Sequence, residues 1–241
     1  MFLVVLLFGP PGCGKGTQAS LIAGRYRIPA ISTGELFRSE CQAATPLGKQ
    51  ACSIIERGGL VGDEIVNRMV ANRIGEPDCR SGFLLDGYPR TKAQAEFFDE
   101  MLSDKELGEP TIIHLEVPPE VLLRRISARR QCPACLRIYN ILSQPPRIPD
   151  LCDEDGTALI VRRDDTEAVL HRRIEAYEKI TGSVITHYEA SRYYRVNGER
   201  SPAEVHREIA RWLTHSQREI VPTHSQNGQG ARRSGCYLGA L

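Results

Sequence analysis

The chain has 241 residues, 41% hydrophobic and 25% charged, enough for one sizeable core with small inserted lobes. Lys and Arg (31) nearly balance Asp and Glu (30), so the formal charge of +1 excludes a whole-chain basic field for nucleic acid or an anionic membrane, and any anion binding has to be local. The opening apolar run FLVVLLF has no basic residue before it and stops at Gly9-Pro10-Pro11, too short for a signal-peptide core or a membrane span, so a cytoplasmic chain is expected.

In chain order, strand-like apolar runs alternate with longer amphipathic segments: FLVVLLF then TQASLIAGRY, GFLLDG then KAQAEFFDEML, TIIHLEV then PEVLLRRISARR. That alternation predicts βαβ units around a buried parallel sheet. Between the first two units, Thr33 to Arg80 reads as a helical insertion without a strand, punctuated by glycines in RGGLVGDE. A second insertion, about Arg129 to Asp165, is rich in Pro, Cys and turn residues and predicts a small separate lobe. A long helix EAVLHRRIEAYEKITGSVITHYEAS, a short strand YYRVN and a helix SPAEVHREIARWL follow, the last with Ser201 at the N-cap and Glu204 three residues on. From about Ser216 periodicity fades into a Gly-, Ser- and Gln-rich stretch, and 218–241 is expected to be a disordered tail.

GPPGCGKGTQ, Gly9 to Gln18, fits a phosphate-binding loop whose glycines let backbone N–H groups curl around an anion while Lys15 adds a mobile charge. The strand before it and the helix after it are the context the mechanism needs, with the helix N-terminus turned to the same anion. The usual Ser or Thr after the lysine is Gly16 here, with Thr17 next, unlike most switch-type nucleotide hydrolases. Asp86 ends the strand FLLD, where ligands of open α/β sheets sit, and is read as orienting the water shell of Mg²⁺. Cys13 reads either as a thiol activated at a helix N-terminus or as a small filler.

Eight cysteines suit either disulfides or free and metal-bound thiols. Cys13, Cys41, Cys52 and Cys79 are isolated, whereas Cys132-x-x-Cys135 and, sixteen residues on, Cys152-x-x-Asp155 cluster. Two turn-borne pairs at this spacing can converge tetrahedrally on a structural Zn²⁺; a CxxC redox pair or a metal-free lobe remain open at this point.

Five pieces in order, GPPGCGKGTQ, ISTGELFR, GGLVGDE, FLLDGYPRTKAQ and RRDDTEAVLHRR, resemble the adenylate kinases, over nearly the whole chain to about Leu213. The resemblance implies an α/β P-loop NTPase-like fold, a doubly wound five-stranded parallel sheet in a domain 1–217 with an AMP-binding insertion (32–61) and a lid (128–165). It implies reversible phosphoryl transfer from MgATP to AMP, giving two ADP, in a protein expected to be a monomer without nucleic-acid or membrane partners. By resemblance, Lys15, Arg90, Arg129, Arg162, Arg173 and Asp86 form the catalytic set. Pro11, Gly12, Cys13, Gly14, Lys15, Gly16, Thr17, Arg125, Arg129, Ile138, Tyr139 and Arg200 surround ATP. Thr33, Arg38, Gly59, Leu60, Val61, Gly87, Tyr88, Pro89, Arg90, Gln94, Arg162 and Arg173 surround AMP, and Thr33 favours AMP over pyrimidine acceptors. Arginine forks suit bidentate phosphate contact, and a phosphate acceptor needs no general base. Arg130, Arg163 and Arg172 read as surface.

The four-residue cluster resembles the zinc lid of bacterial members, including the form with three cysteines and an aspartate. Leu136 stands where a glycine is usual, which predicts a strained turn, and Asn140 where many relatives carry His. The alternatives are the same fold with GTP as donor or UMP or CMP as acceptor, or a noncatalytic nucleotide-binding, zinc-lobed interaction protein.

Overall fold

The first apolar run forms β1 (Leu3–Phe8), and all six of its residues are buried. A strand apolar on both faces belongs inside a sheet covered by helices on both sides. The computed structural model describes residues 2–219 except 44, 58, 60, 163, 190 and 191. After β1 come α1 (Lys15–Tyr26), β2 (Ala30–Ser32), α2 (Thr33–Gln42), α3 (Pro46–Glu56), α4 (Asp63–Ile74), a 3₁₀ turn (Pro77–Ser81), β3 (Gly82–Asp86), α5 (Lys92–Asp104) and β4 (Thr111–Glu116). The chain continues through α6 (Pro119–Ser127), β5 (Arg129–Gln131), β6 (Ile138–Asn140), α7 (Glu167–Tyr188), β7 (Arg192–Asn197) and α8 (Pro202–Glu219).

Among the described residues the main sheet has five parallel strands in the order β2-β3-β1-β4-β7. Alternation along β1 splits the core into two layers. Val4, Leu6 and Phe8 pack with Phe83, Leu85, Phe98, Val70 and Tyr188, and Leu3, Val5 and Leu7 with Ile22, Leu84, Ile113, Leu122 and Ile209. The sheet order reverses beside β1, so the carboxyl ends of β1 and β3 open onto a crevice. The second insertion is a small lobe built on the antiparallel pair β5 and β6, with further bridges at Gln131–Ile160 and Leu151–Ala158. No helix among the described residues is long and apolar enough to cross a membrane.

The helical reading of Thr33 to Arg80 and the placing of the other elements agree with this architecture, and Ser201 and Glu204 form the reciprocal cap of α8. Four details differ from the sequence reading. β2 went unread because three residues behind Pro29 carry no periodicity. The helix predicted through PEVLLRRISARR ends at Ser127, and Arg129 and Arg130 belong to β5, where they pair with Asn140 and Tyr139. α8 runs past Ser216, whose buried hydroxyl donates to Trp212 O (3.1 Å) and lies 3.2 Å from the Tyr194 hydroxyl. Cys41 and Cys52, read as isolated, form a disulfide, because α2 and α3 fold back on each other and bring their Cα atoms to 5.7 Å. Of the disordered tail expected at 218–241, residues 218 and 219 close α8 instead, and the rest lies outside the described residues.

Candidate functional site

The loop between β1 and α1 ends at Gly14, the left-handed N-cap of α1, with no side chain capping the helix. The first helical N–H groups are therefore available to an anion at the crevice. The Lys15 ammonium donates to Gly9 O (2.8 Å) and Pro10 O (3.1 Å), so its charge lies along the loop. Burial pushes the Cys13 thiol up despite the nearby Lys15 charge, which favours the small-filler reading over an activated thiol.

Two cavities open on this loop. The first is lined by Thr33, Gly59, Val61, Gly87, Pro89 and Gln94 among others, the second by residues 11–17, Asp86, Arg125, Arg129, Ile138, Tyr139, Arg162 and Arg200. Pro11, Lys15, Gly34, Arg38, Arg90 and Arg173 line both, so four cations stand where the cavities meet. The expected ATP set lies entirely along the second cavity. Of the expected AMP set, Arg162 lines only the second cavity, Leu60 lies outside the described residues, and the Tyr88 side chain turns away. Tyr88 is fully buried, its ring edge-on to Phe98 and its hydroxyl donating to Asn67 Oδ1 at 2.8 Å. A ring that large inside the core holds the loop from below and does not reach the cavity.

The arginines are held and desolvated. Burial, then the neighbouring Arg173 charge, pushes Arg90 down to about 10; burial, then Arg129 and Arg38, pushes Arg162 down to about 9. Both remain cations at neutral pH. Arg162 Nε donates to Gln131 Oε1 at 2.6 Å, while its Nη2 is buried without a hydrogen-bond partner among the described residues. Clustered cations this dry favour an anion that brings several acceptor oxygens.

Sequence reasoning missed the groups that hold these cations. Asp165 binds Arg129 through both carboxylate oxygens, one of them 2.7 Å from Nε, and Asp164 accepts from Arg173 Nη1 at 2.9 Å. Burial pushes the Asp164 carboxyl up, but Arg173, Arg38, Arg162 and Arg129 together hold it below its ordinary value. The signal was present in RRDD, since buried arginines need counter-charges. On the acceptor side, Thr33 Oγ1 and Arg90 Nε both donate to Gly87 O, at 3.0 and 2.8 Å. Behind the first cavity, the His114 ring nitrogens meet the hydroxyls of Tyr193 (2.5 Å) and Tyr177 (2.8 Å), and burial, then the Arg195 and Lys15 charges, pushes the imidazole down to about 4.

Away from the crevice, the donor atoms of Cys132, Cys135, Cys152 and Asp155 all lie within 4.8 Å of one another. Cys135 and Cys152 sulfurs are 3.5 Å apart, and Cys132 Sγ is 3.3 Å from Asp155 Oδ2. A tetrahedral zinc with thiolate bonds of about 2.3 Å sets its ligands about 3.8 Å apart, so the four donors fit it better than a two-cysteine redox pair. The two supporting turns match: Leu136 N–H donates to Cys132 O (3.1 Å) and Gly156 N–H to Cys152 O (2.9 Å), with φ of 63° and 69°. Leu136 is thus the strained residue expected, in the place its counterpart fills with glycine. Asn140, the last residue of β6, fixes the turn that follows it, donating to Arg125 O and accepting from the N–H groups of Leu142 and Ser143. Tyr139, though it borders the second cavity, points its hydroxyl at Cys152 Sγ (3.4 Å) and the Asp153 N–H (2.8 Å). Arg172, exposed, donates to Arg57 O at 3.0 Å, whereas Arg130, read as surface, is half-buried and donates to Arg129 O at 2.8 Å; Arg163 lies outside the described residues.

The sequence model of the family described as adenylate kinase matches residues 7–193. The chain is 43% identical over 210 residues to an adenylate kinase of Thermoanaerobacter sp. (strain X514), covering 87% of this chain and 97% of the relative. It is 42% identical over 218 residues to one of Caldanaerobacter subterraneus subsp. tengcongensis, covering 90% and 99%. With one of Moorella thermoacetica it shares 46% over 184 residues, covering 76% and 85%.

Proposed function

The chain belongs to the adenylate kinase family, and on that premise we propose how its residues divide the reversible transfer of a phosphoryl group from MgATP to AMP, giving two ADP. The observation that carries the assignment is the pair of cavities sharing Lys15, Arg38, Arg90 and Arg173. Two nucleotides seated in them meet end to end at the cations, the arrangement an in-line transfer between two phosphates needs.

ATP occupies the second cavity, its phosphates on the backbone of residues 11–17 and on Lys15, with Arg125, Arg129, Ile138, Tyr139 and Arg200 around its base and sugar. AMP occupies the first, with Thr33, Gly59, Val61, Gly87, Pro89 and Gln94 around it and Arg38, Arg90 and Arg173 on its phosphate. Lys15, Arg90, Arg129, Arg162 and Arg173 neutralise the transferring group; Tyr88 supports the loop. Mg²⁺, held with its waters by Asp86 and Thr17, which both line the second cavity, supplies charge neutralisation on the ATP phosphates. Zn²⁺ on Cys132, Cys135, Cys152 and Asp155 stiffens a lobe with too small a core of its own. Residues 32–61 and 128–165 close over the two nucleotides and exclude water, so that transfer outruns hydrolysis. The enzyme works as a cytoplasmic monomer.

The test is ADP formation from purified protein with MgATP and each nucleoside monophosphate in turn. Strong preference for AMP with negligible hydrolysis of ATP alone is expected. Preference for UMP or CMP overturns the Thr33 argument, and tight nucleotide binding without turnover overturns the catalytic reading.

A further inference from the structure

Gln94 is 3% exposed, lines the first cavity and makes hydrogen bonds at both ends of its amide. The Arg90 backbone N–H donates to Gln94 Oε1 at 2.8 Å, and Gln94 Nε2 donates to Asp63 Oδ1 at 2.7 Å. The other Asp63 oxygen, Oδ2, accepts from Thr91 Oγ1 at 2.8 Å, and that hydroxyl in turn accepts the Gln94 N–H at 3.1 Å to cap α5. Asp63 is the first residue of α4 and lines neither cavity.

The chemistry of these partners leaves the amide a single orientation. A backbone N–H is only a donor, so the atom facing Arg90 has to be oxygen; an ionised carboxylate is only an acceptor, so the atom facing Asp63 has to be the amino group. We propose that Asp63 is a positioning residue for acceptor specificity: it locks the Gln94 amide so that the cavity meets one remaining N–H donor and one remaining oxygen acceptor in fixed places. An adenine edge, with a ring-nitrogen acceptor beside its exocyclic amino donor, complements that pair; a 6-oxopurine sets its carbonyl oxygen against the amide oxygen. The inference deepens the AMP assignment above and rests on it. It also ties α4, at the end of the helical insertion, to the base of the acceptor site, a span of 31 residues between Asp63 and Gln94.

An asparagine at position 63 can turn either its oxygen or its amino group to Gln94, so the Arg90 N–H is left as the one group that fixes the amide's orientation, and the hold on its amino end is weakened. Steady-state kinetics of wild type, Asp63→Asn and Asp63→Glu are measured with AMP and with IMP, in which a 6-oxo group and an N1–H replace the 6-amino group and bare N1 of AMP. Asp63→Asn is expected to lower the AMP-to-IMP ratio of kcat/KM roughly tenfold, through a higher KM for AMP. The KM for ATP, the kcat with AMP and the melting temperature stay near wild type, and Asp63→Glu, whose carboxylate still only accepts, recovers much of the ratio. Should Asp63→Asn fail to melt cooperatively, Asp63→Ser, too short to reach Gln94 and at ease in a first helical turn, is read for the same fall in ratio. An unchanged ratio, or an equal loss with both acceptors, overturns the proposal by reducing Asp63 to a structural residue. Wild type that does not turn over AMP overturns instead the assignment on which it rests.

Discussion

The loop geometry can be tested by adding a methyl group at two glycines four residues apart. Gly12 has φ +85°, and a Cβ there would lie 2.8 Å from Ile126 Cγ1, 2.9 Å from Ile126 Cδ1 and 3.2 Å from Leu122 O. Left-handed backbone costs a residue with a side chain about 1–2 kcal/mol, and Ile126 is buried at 2% exposure, so overpacking adds about 1–3 kcal/mol. Gly12→Ala should thus lose about 2–5 kcal/mol, a fall in melting temperature on the order of 5–15 °C for a domain of this size. Gly16 sits in the first turn of α1 with ordinary φ, and its Cβ would meet Ile138 Cδ1 at 3.6 Å, a normal contact. Gly16→Ala should therefore hold or raise the melting temperature, by about 1–3 °C at most, since alanine outranks glycine in a helix. Thermal unfolding followed by circular dichroism reads both variants, and steady-state kinetics of Gly12→Ala should show a KM for MgATP raised more than that for AMP. Equal melting shifts for the two variants would refute the left-handed turn at Gly12 as the constraint on the loop.

Two further outcomes follow from groups outside the phosphate loop. His114 has its pKa lowered from 6.5 to about 4 in the folded chain, so the unfolded chain takes up the proton first: the stabilisation is whole above about pH 6.5 and fades as pH falls towards 4, by roughly 3 kcal/mol. Chemical denaturation across that range should show a steeper acid loss for wild type than for His114→Gln, and parallel curves would refute it. If the four-donor cluster holds zinc, elemental analysis should find one zinc per chain, near none in Cys152→Ser, with the lobe of the variant cut first by protease; zinc-free wild type would refute the site.

Where a residue type alone dictates local behaviour, the sequence was enough. β1 is apolar throughout, and β3 and β4 carry the unbroken apolar stretches Phe83–Leu85 and Ile112–Ile113, because both faces of the sheet are covered, and the glycine-lysine loop and the CxxC turns carry their geometry in their own spacing. The strand β2 is too short for any period to register, and the break between α6 and β5 falls inside a run, ISARR, that suits a helix as well as a strand. The Cys41–Cys52 disulfide depends on α2 and α3 turning back on each other, which no property of either helix announces.

The misses in the site have a common physical cause. Lys15, Arg38, Arg90 and Arg173 stand out in sequence because they sit in recognisable motifs, but a buried cation or amide is only as well aimed as the group behind it. Asp164 and Asp165 hold Arg173 and Arg129, and Asp63 holds Gln94; all three lie within the runs RRDDTEAVLHRR and GGLVGDE, but the spacing of those runs assigns them no partner. Such carboxylates look like ordinary helix-start acids, favourable near the N-termini of α4 and α7 on their own account. Only the folded chain separates that modest role from the second one: Asp63 bridges α4 to α5, and the Asp164–Asp165 pair bridges the small lobe to α7. Each lies at a junction between an insertion and the core, so the carboxylates that aim the site also join its two insertions to that core.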